Sequence, residues 1–134
     1  MVNPEIVLFA NEAFYLAFNN RDLEAMEKLW SRHTPPVCIH PGWSGLYNRN
    51  EIMKSWQDIF SNENAQQFIL CHNSRIFFQQ DIMSVICFEQ LAEEWLIATN
   101  NFVLEEGDVR IFHHQASQCF DPPDVIEQIR PSFQ

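Results

Sequence analysis

Basic residues are scarce in this chain: eight Lys and Arg stand against eighteen Asp and Glu, and the net charge is -10. The eight cations are scattered, so a phosphate backbone finds no cationic track and nucleic acid is not an expected partner. Glycine is scarcer still. The three glycines, Gly42, Gly45 and Gly107, form neither GxGxxG nor a P-loop, which removes the usual phosphate cradles. No apolar run reaches the length that spans a bilayer, and Met-Val-Asn-Pro-Glu at the start carries no basic region leading into an apolar one, so no membrane or targeting segment is expected. The four cysteines show no CxxC spacing, and three lie in apolar, strand-like runs. They read as free thiols of a reducing, cytoplasmic protein.

Proline is absent from Gly42 to Asp121, so that stretch is free to hold a sheet. What is present suffices for a core: 134 residues with 46% hydrophobic content fit one domain over 1–134, with a core of about 5–118 and a tail of about 119–134. Asn3 as N-cap and Pro4 at the first helical position open a helix whose Ile6, Ala10, Ala13, Phe14, Ala17 and Phe18 recur at three and four, and which ends near Asn19-Asn20. Asp22 caps a second helix with Leu23, Met26, Leu29 and Trp30 on one face, stopped before Pro35-Pro36. Val37 to His40 alternates as a short strand. Asn48 and Glu51 stand at capping-box spacing before a third helix carrying Ile52, Met53, Trp56, Ile59 and Phe60.

From Gln67 the period becomes two, predicting strands over about Gln67–Phe78, Ile82–Leu91, Trp95–Glu105 and Val109–Ser117. The turns at Gln79-Gln80-Asp81 and Glu106-Gly107-Asp108 make these antiparallel hairpins. The expected class is therefore α+β, with three N-terminal helices on one face of a strongly curved mixed or antiparallel sheet. In the tail, Val125, Ile126 and Ile129 stand at near-helical spacing behind Asp124, and the segment from Phe120 to Phe133 is expected to dock on its own domain or a partner.

The segments AFNNRDLEAMEKLW, CIHPGWSGLYNRNEIMKSWQDIF and LIATNNFVLEEGDVRIFHHQAS, in that order, resemble the SnoaL-like branch of the nuclear-transport-factor-2-like superfamily over about residues 5–118. The resemblance implies a cone-shaped cystatin-like roll, commonly a homodimer, with a pocket at its wide end. The family's pattern is departed from at Asn48, Val109 and Gln115, where relatives usually carry Gly, Trp and His. Relatives range from cyclases, isomerases and dehydratases to a kinase association domain, so fold alone does not assign function.

Similarity to that association domain implies that Glu89, Asn100 and Ala116 face the cavity. Strand parity places Ala98, Asn100, Phe102 and Leu104 on one face, and Arg110, Phe112, His114 and Ala116 on one face of the next strand. The other face, with Thr99, Asn101, Val103, Val109, Ile111 and His113, suits a second subunit. Glu89 and His114 are the acid–base candidates, with Asn100 as orienting amide. His40 and Trp43 resemble family positions at the pocket mouth, and Phe14, Met26, Trp56 and Phe102 supply apolar contacts for a small hydrophobic molecule.

Two readings stay open. One is a non-catalytic ligand-binding or dimerisation module; the other is a cofactor-independent isomerase, cyclase or lyase acting on a small carbonyl compound. Equally, Glu89 and His114 satisfy each other or the backbone in a structural network. No metal is expected, since the adjacent strand residues His113 and His114 point to opposite faces.

Overall fold

A computed structural model describes residues 2–127. Helix α1 spans Pro4–Asn19, α2 Leu23–Leu29 and α3 Arg49–Ser61; strands β1 to β5 span Val37–Ile39, Leu70–Gln79, Ile82–Gln90, Trp95–Glu105 and Asp108–Gln118. The helix starts follow from their caps. Asn3 Oδ1 accepts the Glu5 amide, Asp22 Oδ1 the Ala25 amide and Asn48 Oδ1 the Glu51 amide, each satisfying a donor that the helix itself cannot. Arg49, at the head of α3, donates to the carbonyls of Glu27 and Trp30 and so ties α3 to the exposed end of α2.

The sheet has the order β1-β5-β4-β3-β2, with β1 parallel to β5 and every other pair antiparallel. Along β3 and β4 burial alternates strictly: Met83, Val85, Cys87 and Glu89, then Leu96, Ala98, Asn100 and Phe102, point inward. Helix α1 lies in the hollow of this curved sheet and buries Val7, Ala10, Asn11, Phe14, Tyr15 and Ala17 against it. This is the α+β arrangement that the hydrophobic periods predict. Among the described residues no helix is long and apolar enough to cross a membrane.

Four local features differ from the sequence reading. Strand β2 starts at Leu70 rather than near Gln67, and a one-turn 3-10 helix at Glu63–Ala65 follows α3. The Asn19 side-chain amide pairs with both backbone groups of Ile69, at 2.8 and 2.9 Å, and satisfies them in place of a ladder partner. The pairing of β4 with β5 shifts between Asn101 and Phe102, where Phe102 faces Ile111 and Asn101 faces His113. Phe112 is the extra residue of this bulge, so it is Ile111 and not Phe112 that shares the inner face with His114 and Ala116. Leu104, at the end of β4, is exposed.

The tail over residues 120–127 is irregular rather than helical. Asn73, itself at φ 53 inside a bulge of β2, donates to the Val125 carbonyl and accepts the Glu127 amide, both at 2.8 Å, while Arg75 pairs with Glu127. The tail thus docks on its own β2 as far as Glu127; the readings that involve Ile129 and Phe133 lie outside the described residues.

Candidate functional site

A cavity of about 330 Å³ lies between the inner face of the sheet, α1 and α3. Its apolar wall comes from Phe14 and Phe18 of α1, Trp56 and Ile59 of α3, and Leu91 and Leu96 of the β3–β4 hairpin. Its polar groups are Glu89, His114, His40, Asn62, Gln67 and Glu94. Among the described residues no Lys or Arg lines it.

Trp56 is the hub of the aromatic wall. Phe14, Phe18 and His40 meet its ring edge-on, at centroid distances of 5.7, 6.1 and 4.7 Å. Trp43 stands at the rim, 48% exposed, with its ring 4.7 Å from His40. His40 continues the inward face of β1 two residues beyond Cys38, and the parallel pairing of Cys38 with His114 brings β1 beside that residue. Of the residues singled out from sequence, Glu89, His114, His40, Trp43, Trp56 and Phe14 therefore meet at one cavity.

Asn100, Phe102 and Met26 do not line it. Asn100 lies behind His114, wholly buried. Phe102 is two residues further along β4, past the bulge, where it packs in the core. Met26 is the buried residue of α2, which sits over β5 and α3 away from the opening.

The cavity floor is a hydrogen-bonded chain that runs in one direction. The His114 imidazole Nδ1 lies 2.6 Å from Asn100 Oδ1. Asn100 Nδ2 donates to Asn11 Oδ1 at 2.8 Å and to the Tyr15 hydroxyl at 3.1 Å. Tyr15 donates to Glu89 Oε2 at 2.6 Å. Because the Asn100 amide nitrogen is committed to Asn11 and Tyr15, its oxygen must accept from His114, which puts the imidazole proton on Nδ1. The Nε2 lone pair has no hydrogen-bond partner among the described residues.

Electrostatics sharpen the arrangement. Burial pushes the Glu89 carboxyl up to about 7, with the Tyr15 hydroxyl opposing that rise. Burial, with smaller contributions from His40 and His113, lowers His114 to about 3, and burial lowers His40 to about 4. The floor therefore holds a carboxyl that titrates near neutrality beside an imidazole that stays uncharged. At His40 the serine sets the tautomer. Ser55 gives its proton to the Ile52 carbonyl at 2.7 Å, so it can only accept from His40 Nε2 at 2.9 Å. His40 and Ser55 are thus not a nucleophilic pair, since the imidazole presents its N–H to the serine oxygen.

Glu89 and His114 do not bond each other; Tyr15 and Asn100 stand between them. Asn11 and Tyr15 were not singled out from sequence, though a signal existed. Both fall on the buried stripe of α1, Asn11 four residues after Val7 and Tyr15 four after Asn11, and a polar residue on such a stripe demands a partner. Gln115 is exposed, on the opposite face from His114, so the family's missing imidazole is not a loss from this cavity. Among the described residues no three His, Cys, Asp or Glu side chains gather closely enough to hold a metal ion.

The model of the SnoaL-like domain matches residues 7–121, which include every residue of the cavity. The chain belongs to the SnoaL-like family. A candidate dehydratase of the NTF2-like family from Streptomyces avermitilis shares the fold of this SnoaL-like chain at a TM-score of 0.78, with 24% identity over 87% of this chain and 96% of that one. A candidate calcium/calmodulin-dependent protein kinase type II association domain from Thiobacillus denitrificans superposes at 0.74, with 27% identity over 82% and 92%. The F-box protein SKIP8 of Arabidopsis thaliana is 25% identical over 122 residues, which make up 90% of this chain and 53% of that protein. The SnoaL-like chain thus spans about half the length of this curated relative.

Proposed function

We propose that this SnoaL-like domain binds a small, uncharged, largely apolar molecule in the cavity, through one carbonyl or hydroxyl group held at Glu89 and His114. The observation that carries the reading is the pairing of an aromatic wall with a polar floor whose Nε2 lone pair has no partner among the described residues. Space of about 330 Å³ lies at the small end of the roughly 300–1,000 Å³ of small-molecule sites. Anions are disfavoured, because Glu89 and Glu94 line the cavity and no Lys or Arg among the described residues offsets them. A thermal-shift series of neutral aromatic ketones and alcohols against their carboxylate analogues tests this. Neutral compounds are expected to raise the melting temperature and carboxylates to leave it unchanged; equal shifts from both, or none from either, would contradict the reading.

One observation favours a second reading. A carboxyl near 7 close to a neutral imidazole suits acid–base chemistry next to a carbonyl, so the same site supports a cofactor-independent isomerase, cyclase or lyase in which Glu89 moves the proton and the His114 Nε2 lone pair accepts from a substrate hydroxyl. The Streptomyces relative, a candidate dehydratase, is compatible with it. Conversion of a bound ligand, reduced at least a hundredfold in Glu89→Gln with binding retained, separates catalysis from binding alone.

Three further readings belong to the same proposal. The whole chain acts as one unit, with its tail tied to β2. Two copies pair through the outer sheet face, where Ile86, Phe88, Trp95, Ile97 and Val103 are half-buried in the lone chain; sedimentation equilibrium at twice the monomer mass supports this, and a monomer at high concentration removes it. The four free thiols fit a reducing cytoplasm.

A further inference from the structure

We propose that Tyr15 and Asn100 are positioning residues that couple the charge on Glu89 to the hydrogen-bonding character of His114. The ionised carboxylate makes Nε2 an acceptor for a ligand hydroxyl, and the protonated acid makes it a donor to a ligand carbonyl.

The floor can be wired in few ways. Ionised Glu89 can only accept, so Tyr15 gives it its single proton at 2.6 Å. The Tyr15 oxygen then accepts from Asn100 Nδ2, Asn100 Oδ1 faces His114, and the imidazole proton sits on Nδ1. Protonated Glu89 is the one member that can change from acceptor to donor without moving. It then gives its proton to the Tyr15 oxygen, and Tyr15 turns its own proton toward Asn100, a stronger acceptor than the Cys87 thiol that lies 3.3 Å from the same hydroxyl. A half-turn of the Asn100 amide brings its oxygen to Tyr15 and its nitrogen to His114 Nδ1, which must now accept. The imidazole keeps one proton, released from Nδ1 and taken up at Nε2 by exchange with water in the cavity.

Asn11 does not block this second wiring. Its amide lies between Asn100 and the two thiols of Cys71 and Cys87, at 3.7 and 3.9 Å, and thiols both donate and accept. When the Asn11 amide also turns, it gives its nitrogen to Asn100 and takes the thiol protons on its oxygen. In both wirings Glu89, the Tyr15 hydroxyl and His114 Nδ1 each keep a hydrogen-bond partner, as low-dielectric burial favours, and Nε2 stays open to the cavity.

The groups packed around the chain leave Glu89 as its switch. Tyr15 of α1, Cys87 of β3 and Cys71 of β2 surround that carboxyl, and burial raises Tyr15 and Cys87 well above their ordinary ranges, Cys87 with a thiol contact to Cys71 as its first cause. His114 is surrounded by Phe14, Trp56, Asn100 and His40, with His113 next in the chain. Among the described residues no Lys or Arg lines the cavity. With Glu89 titrating at about 7 and His114 at about 3, the pH range between 6 and 8 changes the charge of the carboxyl and the tautomer of the imidazole, not its charge.

The inference builds on the proposed binding site, but its test needs no ligand. Imidazole ¹⁵N spectra of the full chain, recorded from pH 5.5 to 8.5, read each ring nitrogen as bare or protonated. At high pH His114 Nε2 is expected to be bare and Nδ1 protonated, with the populations reversing as Glu89 gains its proton. In Tyr15→Phe the tautomer no longer follows Glu89, and in Glu89→Gln it is constant across the range. One fixed tautomer in the wild type overturns the coupling, as does a pH-dependent tautomer in Glu89→Gln, even if Tyr15→Phe does not fold. A failed ligand screen with a switching His114 would count against the binding reading alone.

Discussion

Two buried glutamates show how one residue type is put to opposite uses. Glu105 is 8% exposed, at the end of β4, and its carboxylate accepts from the Ser31 hydroxyl and the backbone amides of Arg32 and His33. Burial raises it, but the Ser31 hydroxyl and the two amides outweigh that and hold it below the usual carboxylate range. Glu89 is 2% exposed and has one hydroxyl donor, Tyr15, so burial wins and the group rises to about 7. The first carboxylate is saturated and organises the turn after α2. The second has one hydroxyl donor and lines a cavity, as the proposed binding site requires.

That contrast makes its own tests. Glu105→Ala orphans the Ser31 hydroxyl and the Arg32 amide, while the His33 amide keeps the Ser31 oxygen at 3.3 Å, and is expected to cost about 3 kcal/mol in urea unfolding while leaving ligand-induced thermal shifts unchanged. Glu89→Gln acts in the other direction, and only at high pH. A folded-state value of about 7 against an unfolded value of 4.5 means that the native state holds the proton longer, so stability is full below about 4.5 and falls as pH rises toward 7. The variant is therefore expected to be more stable than the wild type at pH 8, by roughly 3 kcal/mol, and about equal to it at pH 4.5. His114 and His40, lowered to about 3 and 4, work oppositely. Their contribution is present above the unfolded value of 6.5 and is lost as pH falls toward 4, so Glu89→Gln should show this acid limb without the opposing slope. The smallest effect, about 1.5 kcal/mol with no change in the cavity, is expected for Ser31→Ala, which removes one of the three donors to Glu105 and the acceptor of the Thr34 amide.

Much of the fold was legible because it rests on local chemistry. Asn3, Asp22 and Asn48 announce their helices, and the period-two runs place four strands within a few residues of their ends. Parity failed at one point. Counting back from His114 put Phe112 and Arg110 on the inner face, and the bulge at Phe112 hands that place to Ile111. A bulge leaves no mark in apolar alternation when the extra residue is itself apolar.

The site was legible in part for a related reason. Glu89, His114, His40, Trp43, Trp56 and Phe14 come together because the period of each element sets the side it faces. Asn11 and Tyr15 escaped notice because they interrupt a strong helical stripe, where the eye follows the carbon. Their partners, Asn100 and Glu89, lie 89 and 74 residues away, a pairing that only the folded chain can supply.

The central claim is that Glu89 is a buried, ionisable group facing the cavity and tuned to neutrality. A ¹³C titration of its side-chain carboxyl, assigned by comparison with Glu89→Gln, tests it most directly. The account predicts a midpoint near 7. A midpoint near 4.5 would mean that the carboxylate is solvated or fully paired, and the chemical site built on it would be lost.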